Sequence, residues 1–235
     1  YYEEHQKLPK TSGCSPEDFT VIFDAIHEKY PEKHILHLAY SAVTTCSYQS
    51  ALIAAEDRDY ITSIDTKQVS AGQGIIVFKA AEMLEKHPDI TVSEAVKRIE
   101  VFCKQARMVF IPEDLEYLKA GGRVSNVAFL GSRLLNIHPS IEIENGYLLA
   151  KKKYRGGMER IAVKLIEEFT KREDLVKDHL WLLWSIGLST EVRNVAEKAA
   201  KKLGYNKIIW IKTGCVITTH GGPGAFGIAG FTVKA

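Results

Sequence analysis

The chain has 235 residues, 46% of them hydrophobic and 26% charged, a size that suffices for one large domain or two small ones with buried cores. Its 31 basic and 29 acidic residues leave a formal net charge of +2. Charge so evenly mixed excludes an overall field suited to nucleic acid or an anionic membrane and leaves only local patches.

In chain order, SPEDFTVIFDAIHEKY repeats Phe19, Ile22, Phe23 and Ile26 at helical spacing, with Ser15 as N-cap before Pro16. HILHLAYS then reads as a strand, VTTCSYQS as a hydroxyl-rich turn, QSALIAAEDR as a helix and DYITSIDT as a second strand. Strand, turn, helix, strand is the succession of parallel α/β units. Two amphipathic helices follow, GQGIIVFKAAEMLEKH and VSEAVKRIEVFCKQA, the second expected to be capped by Ser93, and ARMVFIP reads as the next strand. After Pro112, DLEYLKAGG reads as a helix with a glycine break and a further helix beyond it, in the stretch that holds Ser125. IEIE and YLLAKKKY flank Asn145-Gly146, the dipeptide of a type I′ hairpin turn, so antiparallel pairing begins here and a domain boundary is expected near residue 107. MERIAVKLIEEFTKRE and STEVRNVAEKAAKKLG read as helices, and HLWLLWS, KIIWIKTGCVIT and GIAGFTV as strands.

Three stretches place polar side chains where a ligand can reach them. Thr11 and Ser12 lie just before the first long helix, where they serve either a plain turn or a site. Ser41, Thr44, Thr45, Cys46, Ser47 and Ser50 follow a strand at the carboxyl end that receives ligands in open α/β sheets, although some of them can cap the next helix. Thr218, Thr219 and His220 are expected to end a strand and run into glycines. Gly222-Pro-Gly224-Ala-Phe-Gly227 matches G-x-G-x-x-G, but only eight residues follow Gly227, too few for a dinucleotide-binding helix and second strand. Those glycines instead let backbone approach a ligand and offer amides to an anion. Arg123, beside Gly121 and Gly122, suits a carboxylate or phosphate. Lys151, Lys152, Lys153 and Arg155 form a basic face that is either solvated or docks an acidic partner.

Other chemistry is not signalled. There is no G-x-S-x-G elbow, G-K-[ST] loop or H-E-x-x-H helix. Cys14, Cys46, Cys103 and Cys215 form no C-x-x-C pair, so reduced thiols and no metal are expected. His34 and His37 fall on opposite faces of a strand and cannot share a metal. No apolar run nears the roughly 20 residues of a membrane helix, and YYEEHQKLPK is charged where a signal peptide is apolar; a cytoplasmic protein without stable membrane insertion is expected.

Taken in order and with their gaps, TSGCSPEDF, SAVTTCSYQSA, SIDTKQVSAGQG, DLEYLKAGGRVSNVAFLGSRLLNIHPSI, YRGGMERI and THGGPGAFG resemble the DegV family of bacterial fatty-acid-binding proteins. The resemblance spans nearly the whole chain, and EYLKAGGR and THGGPGA are its most specific segments. It implies an α/β fold of two domains holding a long-chain fatty acid between them: a parallel-sheet α/β/α domain at 1–106 and a mixed-sheet α/β domain at 107–235. It further implies that the protein is a lipid-binding protein, not an enzyme, with no catalytic residue, metal or cofactor, and that it serves as the acyl-carrying subunit of a fatty-acid kinase whose partner phosphorylates the bound carboxylate. Position by position, the carboxylate-binding groups fall at Thr11 or Ser12, in the turn Thr45-Cys46-Ser47 before Tyr48, at Arg123, and at His220 with Gly221 and the loop amides. Arg155 of YRGG matches the arginine with which kinase-linked members engage their partner. Two departures stand out. Where the family commonly reads S-G-T-Y-Q-S-A, Cys46 replaces a glycine and is expected to narrow the head-group pocket. Family members also carry a leading strand and helix that this sequence lacks, so part of the first sheet is expected to be missing.

Two other functions use the same residues. In an acyl hydrolase or transferase, His220 is general base to Thr45 or Ser47, which requires a hydroxyl within about 3 Å and an orienting group behind the imidazole. A phosphate- or nucleotide-binding module requires amides at a helix start.

Overall fold

The structure, a computed structural model, describes residues 2–5, 7–124 and 137–233. A short helical turn, α1 (Tyr2–His5), and a loop lead to α2 (Pro16–Lys29). Its start is the expected one: Ser15 Oγ accepts from the Asp18 amide, Asp18 accepts from the Ser15 amide, and Pro16 sits where no intrahelical donor is needed. β1 (Ile35–Ala39) and β2 (Ile61–Asp65) pair in parallel, with α3 (Ser47–Ala54) as the crossover between them. α4 (Ser70–Lys86) and α5 (Val92–Gln105) follow. The cap of α5 is Thr91, whose Oγ1 accepts from the Glu94 amide at 3.2 Å; the helix begins before Ser93, which lies inside its first turn.

The pairing changes at β3 (Ala106–Ile111), which opens a six-stranded sheet. α6 (Glu116–Gly121) ends on Gly122 in the left-handed region, φ 64°. The helix expected beyond it, with Ser125, lies outside the described residues. β4 (Ile137–Glu144) and β5 (Tyr147–Arg155) form the expected hairpin, and Asn145 and Gly146 take the two positive φ values, 49° and 88°, of a type I′ turn. α7 (Met158–Glu173), β6 (His179–Trp184), α8 (Thr190–Lys202) and β7 (Lys207–Lys212) come next, then α9 (Cys215–Gly221) and β8 (Phe226–Phe231). The strand order is β5-β4-β3-β8-β6-β7, antiparallel throughout except for β6 with β7.

One expectation fails here. The strand expected to run through KIIWIKTGCVIT stops at Lys212, and Cys215–Gly221 is helical. Val216, Ile217, Thr218 and Thr219 are β-branched and read as strand, but Gly214 breaks the run and serves as N-cap, and packing against α6 sets the conformation.

The run HLWLLW is apolar on both faces because both faces of β6 are covered. Leu180 and Leu182 pack with Ile161, Leu165 and Ile166 of α7 and Val192 and Ala196 of α8. Trp181 and Leu183 face the other way and share a core with Ile75, Ile76 and Ala80 of α4. The same core takes in Ile64 of β2 and Met108 of β3, so α4 is packed against both sheets. A second tie joins them: Ser41, past the end of β1, donates from Oγ to the Gly146 carbonyl of the hairpin turn at 2.9 Å.

Candidate functional site

Between the two sheets lies a cavity of about 370 Å³. It opens where β1, β6 and β7 reach their carboxyl ends, through Tyr40, Ser185 and Thr213, the place where α/β sheets present ligands. Val69, Met108, Phe110, Leu118, Leu148 and Phe226 give it apolar walls. Thr11, Ser12, Thr45, Ser47, Arg123, His220 and Gly221 line the same cavity, so residues scattered from 11 to 221 converge there. Cys46 is the exception: it does not line the cavity, and its Sγ lies against Gly13 instead.

The polar groups form a connected series. His220, on the last turn of α9, places Nε2 2.7 Å from Thr11 Oγ1. A Cβ on Gly121 would collide with His220 Nδ1, so α6 presents a bare backbone to the ring. Arg123 NH1 donates to the Gly121 carbonyl, which holds the guanidinium beside the same ring. From Thr11 the chain passes to Gly13, where a Cβ would stand 3.2 Å from Thr45 Oγ1 and 3.3 Å from Ser47 Oγ. Those two hydroxyls lie 3.0 Å apart, and Ser47 Oγ accepts from the Cys14 amide at 3.1 Å.

The other hydroxyls of the two motifs have structural work. Thr44 donates to the Ser41 carbonyl, Thr218 bonds Thr213, and Thr219 donates back to the Cys215 carbonyl. Helix α3 has no side-chain bond from its N-cap residue, Cys46, but Thr45 Oγ1 accepts from the Ser47 amide, so capping and cavity lining coincide at Thr45. The glycine loop differs from expectation as well. Gly222 donates its amide to Thr218, Gly224 to Ile186 and Ala225 to Ser185 Oγ, so these three are engaged within the protein. The loop follows a helix C-terminus, whose partial charge is negative. Its glycines supply conformation and space instead: Gly222 and Gly224 have φ of 79° and 73°, and a Cβ on Gly222 would stand 2.8 Å from Tyr117 Cδ2.

Burial holds the His220 pKa below the usual imidazole value, and the positive charge of Arg123 adds to the effect. Neutral imidazole is therefore the resting form near pH 7. Tyr40 was not singled out by sequence; burial pushes its phenol up to about 12, against the opposing influence of the Ser70 backbone and Arg123. Gln73 also lines the cavity and donates to the Leu38 carbonyl at 2.8 Å. Their signal in sequence was position alone, a tyrosine closing a strand and a glutamine in the first turn of a helix.

For acyl transfer the nearest hydroxyl to His220 is that of Thr11, not Thr45 or Ser47. Among the described residues His220 Nδ1 has no hydrogen-bond partner, so no group there orients the imidazole as a base requires. No cluster of metal-ligating side chains occurs among the described residues. Arg155 lies apart, at the end of β5, in a cleft it lines with Lys153, Arg160 and Lys164. No helix among the described residues is long and apolar enough to cross a membrane.

The DegV family model, described as an uncharacterised protein family, matches residues 1–232. The chain belongs to the DegV family. A Thermotoga maritima DegV relative named Fatty acid-binding protein is 31% identical over 232 residues, covering 95% of this chain and 77% of its own. Protein DegV of Bacillus subtilis is 27% identical over 235 residues, covering 97% and 82%. Among solved structures, a Thermus thermophilus DegV family protein described for its fatty acid binding superposes with a TM-score of 0.83 at 28% identity, over 96% of this chain and 79% of that one. The small parallel sheet and larger mixed sheet are thus a DegV fold.

Proposed function

We propose that this DegV protein binds a long-chain fatty acid in the cavity between two lobes, 1–106 and 107–235. The observation that carries the proposal is the pairing of apolar walls with the series Arg123, His220, Thr11, Thr45 and Ser47. Each methylene buried contributes about 0.8 kcal/mol before ordering costs. The carboxylate is costly to bury unless it is paired and hydrogen-bonded. Hydroxyls from Thr11, Ser12, Thr45 and Ser47 and the charge of Arg123 supply that pairing, and His220 joins them by taking up a proton. The fatty-acid-binding relatives named above support this assignment.

We further propose that the loaded protein presents its ligand to a fatty-acid kinase, with the basic cleft around Arg155 as the docking surface. The chain itself then performs no catalysis; the carboxylate receives the phosphoryl group from the partner's nucleotide.

Native mass spectrometry of the protein purified from bacteria tests the first step. A stoichiometric fatty acid, lost when His220 and Arg123 are changed to Ala, is expected. An empty protein that takes up no added fatty acid, yet hydrolyses p-nitrophenyl acyl esters in a Thr11-dependent way, would replace it with the acyl hydrolase function, which the 2.7 Å contact of Thr11 with His220 favours as the alternative.

A further inference from the structure

Cys46 stands outside the cavity, and its position has a partner. Its Sγ lies 2.5 Å from where a Cβ on Gly13 would stand, a space that exists only because residue 13 is glycine. The next residue is Cys14, whose amide is anchored on Ser47 Oγ at 3.1 Å. Residues 13 and 14 therefore rest directly on residues 46 and 47. With ordinary bond lengths, Cys46 Sγ is at most about 4 Å from the Gly13 Cα, which is itself about 3.8 Å from the Cα of Cys14, so the sulfur lies within about 8 Å of that Cα. A disulfide asks for a Cα separation of about 4.4–6.8 Å, and closing to it falls to rotation of the backbone at Gly13, which carries no side chain to hinder it. Both thiols are free and exposed.

We propose that Cys14 and Cys46 form a reversible disulfide that fastens the 11–14 segment across the mouth of the cavity. The oxidant is a low-molecular-weight disulfide. One cysteine thiolate attacks it, releasing one small thiol and leaving a mixed disulfide; the second cysteine displaces the other small thiol. In all, the two protein thiols lose two electrons and two protons, and the reagent is reduced to two thiols.

The consequence follows from the ends of the segment. Thr11 is held by His220, and residues 13 and 14 are held by the turn before α3. A ligand that enters or leaves past this segment must lift it, and a covalent tie at Cys14 prevents that. This consequence, though not the disulfide itself, rests on the fatty-acid assignment above. Cys103 is a poor competitor, because burial, with Asp65 and Glu100 nearby, pushes its thiol up to about 11; Cys215 is exposed on a different element, at the start of α9, and the peptide map separates its adduct from the Cys14–Cys46 pair.

The test treats the reduced protein with oxidised glutathione and maps disulfides by peptide mass spectrometry. A peptide pair joining Cys14 to Cys46, lighter by two hydrogens and absent from Cys14→Ser, is expected. Release of a bound fluorescent fatty acid should then slow about tenfold or more on oxidation of the wild type and be restored by dithiothreitol, because local opening is blocked. Oxidised and reduced Cys14→Ser should release at one rate. Separate glutathione adducts on each cysteine, or a Cys14–Cys46 link that leaves release unchanged, would overturn the inference. Failure of the reduced protein to bind the fatty acid would count against the binding function, while the peptide map would still decide the disulfide.

Discussion

Gly121 and His220 meet as backbone and ring, in a space that a single methyl group at position 121 would fill. The contact has a counterpart one residue beyond the histidine's helix, where Gly222 makes room for Tyr117. Helices α6 and α9 thus approach by giving each other's rings a glycine to rest on. Gly121→Ala should separate binding from stability. Gly121 closes α6 without a left-handed backbone angle, so alanine brings no backbone strain there and the melting temperature should move little. The imidazole must turn from Thr11, and fatty-acid affinity is expected to fall about tenfold or more. Calorimetric titration beside thermal melts checks this; parallel losses in both would show damage to the fold instead.

Thr11→Val keeps shape and removes the hydroxyl facing His220. Hydrogen bonds to charged groups are worth about 1.5–3 kcal/mol, so binding should weaken by roughly 10- to 150-fold. Arg123→Gln should act on charge. Wild type is expected to prefer a fatty acid over the fatty alcohol of equal length, and the variant to lose most of that preference in a competition assay.

Protonation supplies a further expectation. His220 is kept neutral by burial and then by Arg123, and an incoming carboxylate reverses that balance. Binding near pH 7 should therefore take up a proton, seen as a dependence of the calorimetric heat on the ionisation enthalpy of the buffer. In the empty protein, His220 and His37 both have lowered pKa values, for His37 because of burial alone. Below the ordinary imidazole value of about 6.5 the unfolded chain binds more protons than the folded one. Their contribution is present above that value and lost as pH falls through it towards the folded pKa, so urea midpoints should drop between pH 7.5 and 5.5. His37→Gln should flatten the drop.

The hairpin turn offers a test of stability. Gly146 has φ 88°, and a Cβ there would strike Ser41 Oγ. Gly146→Ala should cost about 1–3 kcal/mol from backbone strain and crowding. Ser41→Ala in the same chain should recover only the crowding share, which a double-mutant cycle measures.

Arg155→Glu should leave fatty-acid affinity unchanged, since Arg155 lies away from the cavity. Loss of kinase-dependent acyl phosphate formation with intact ligand binding is the expected result. Unimpaired phosphorylation would remove the basic cleft from the docking surface.

Several elements could be read from local chemistry because local chemistry decides them: the Ser15 cap and the Asn145-Gly146 turn are set by neighbours in sequence, whereas the HLWLLW run shows itself as a strand by its apolar length while its two covers come from α4 and from α7 and α8. Helix α9 could not, because CVITT carries strand-forming side chains and only its seat against α6 makes it helical. The expected amide cradle failed for the same reason, as a loop leaving a helix C-terminus spends its amides on Thr218, Ile186 and Ser185. Candidate side chains were legible one by one. Their connection was not: Thr11 and His220 are 209 positions apart, and nothing in either segment announces the other.

That separation makes the cavity a property of nearly the whole chain. Its lining runs from Thr11 to Gly227, so no partly folded fragment contains a complete site. An occupant that recognises only the finished cavity stabilises the folded chain over the unfolded one, adding about 2.7 kcal/mol when present at 100 times its dissociation constant. The lifetime of this protein in a cell would in that case follow the supply of its ligand, and abundance would report on free fatty acid before any partner engaged it.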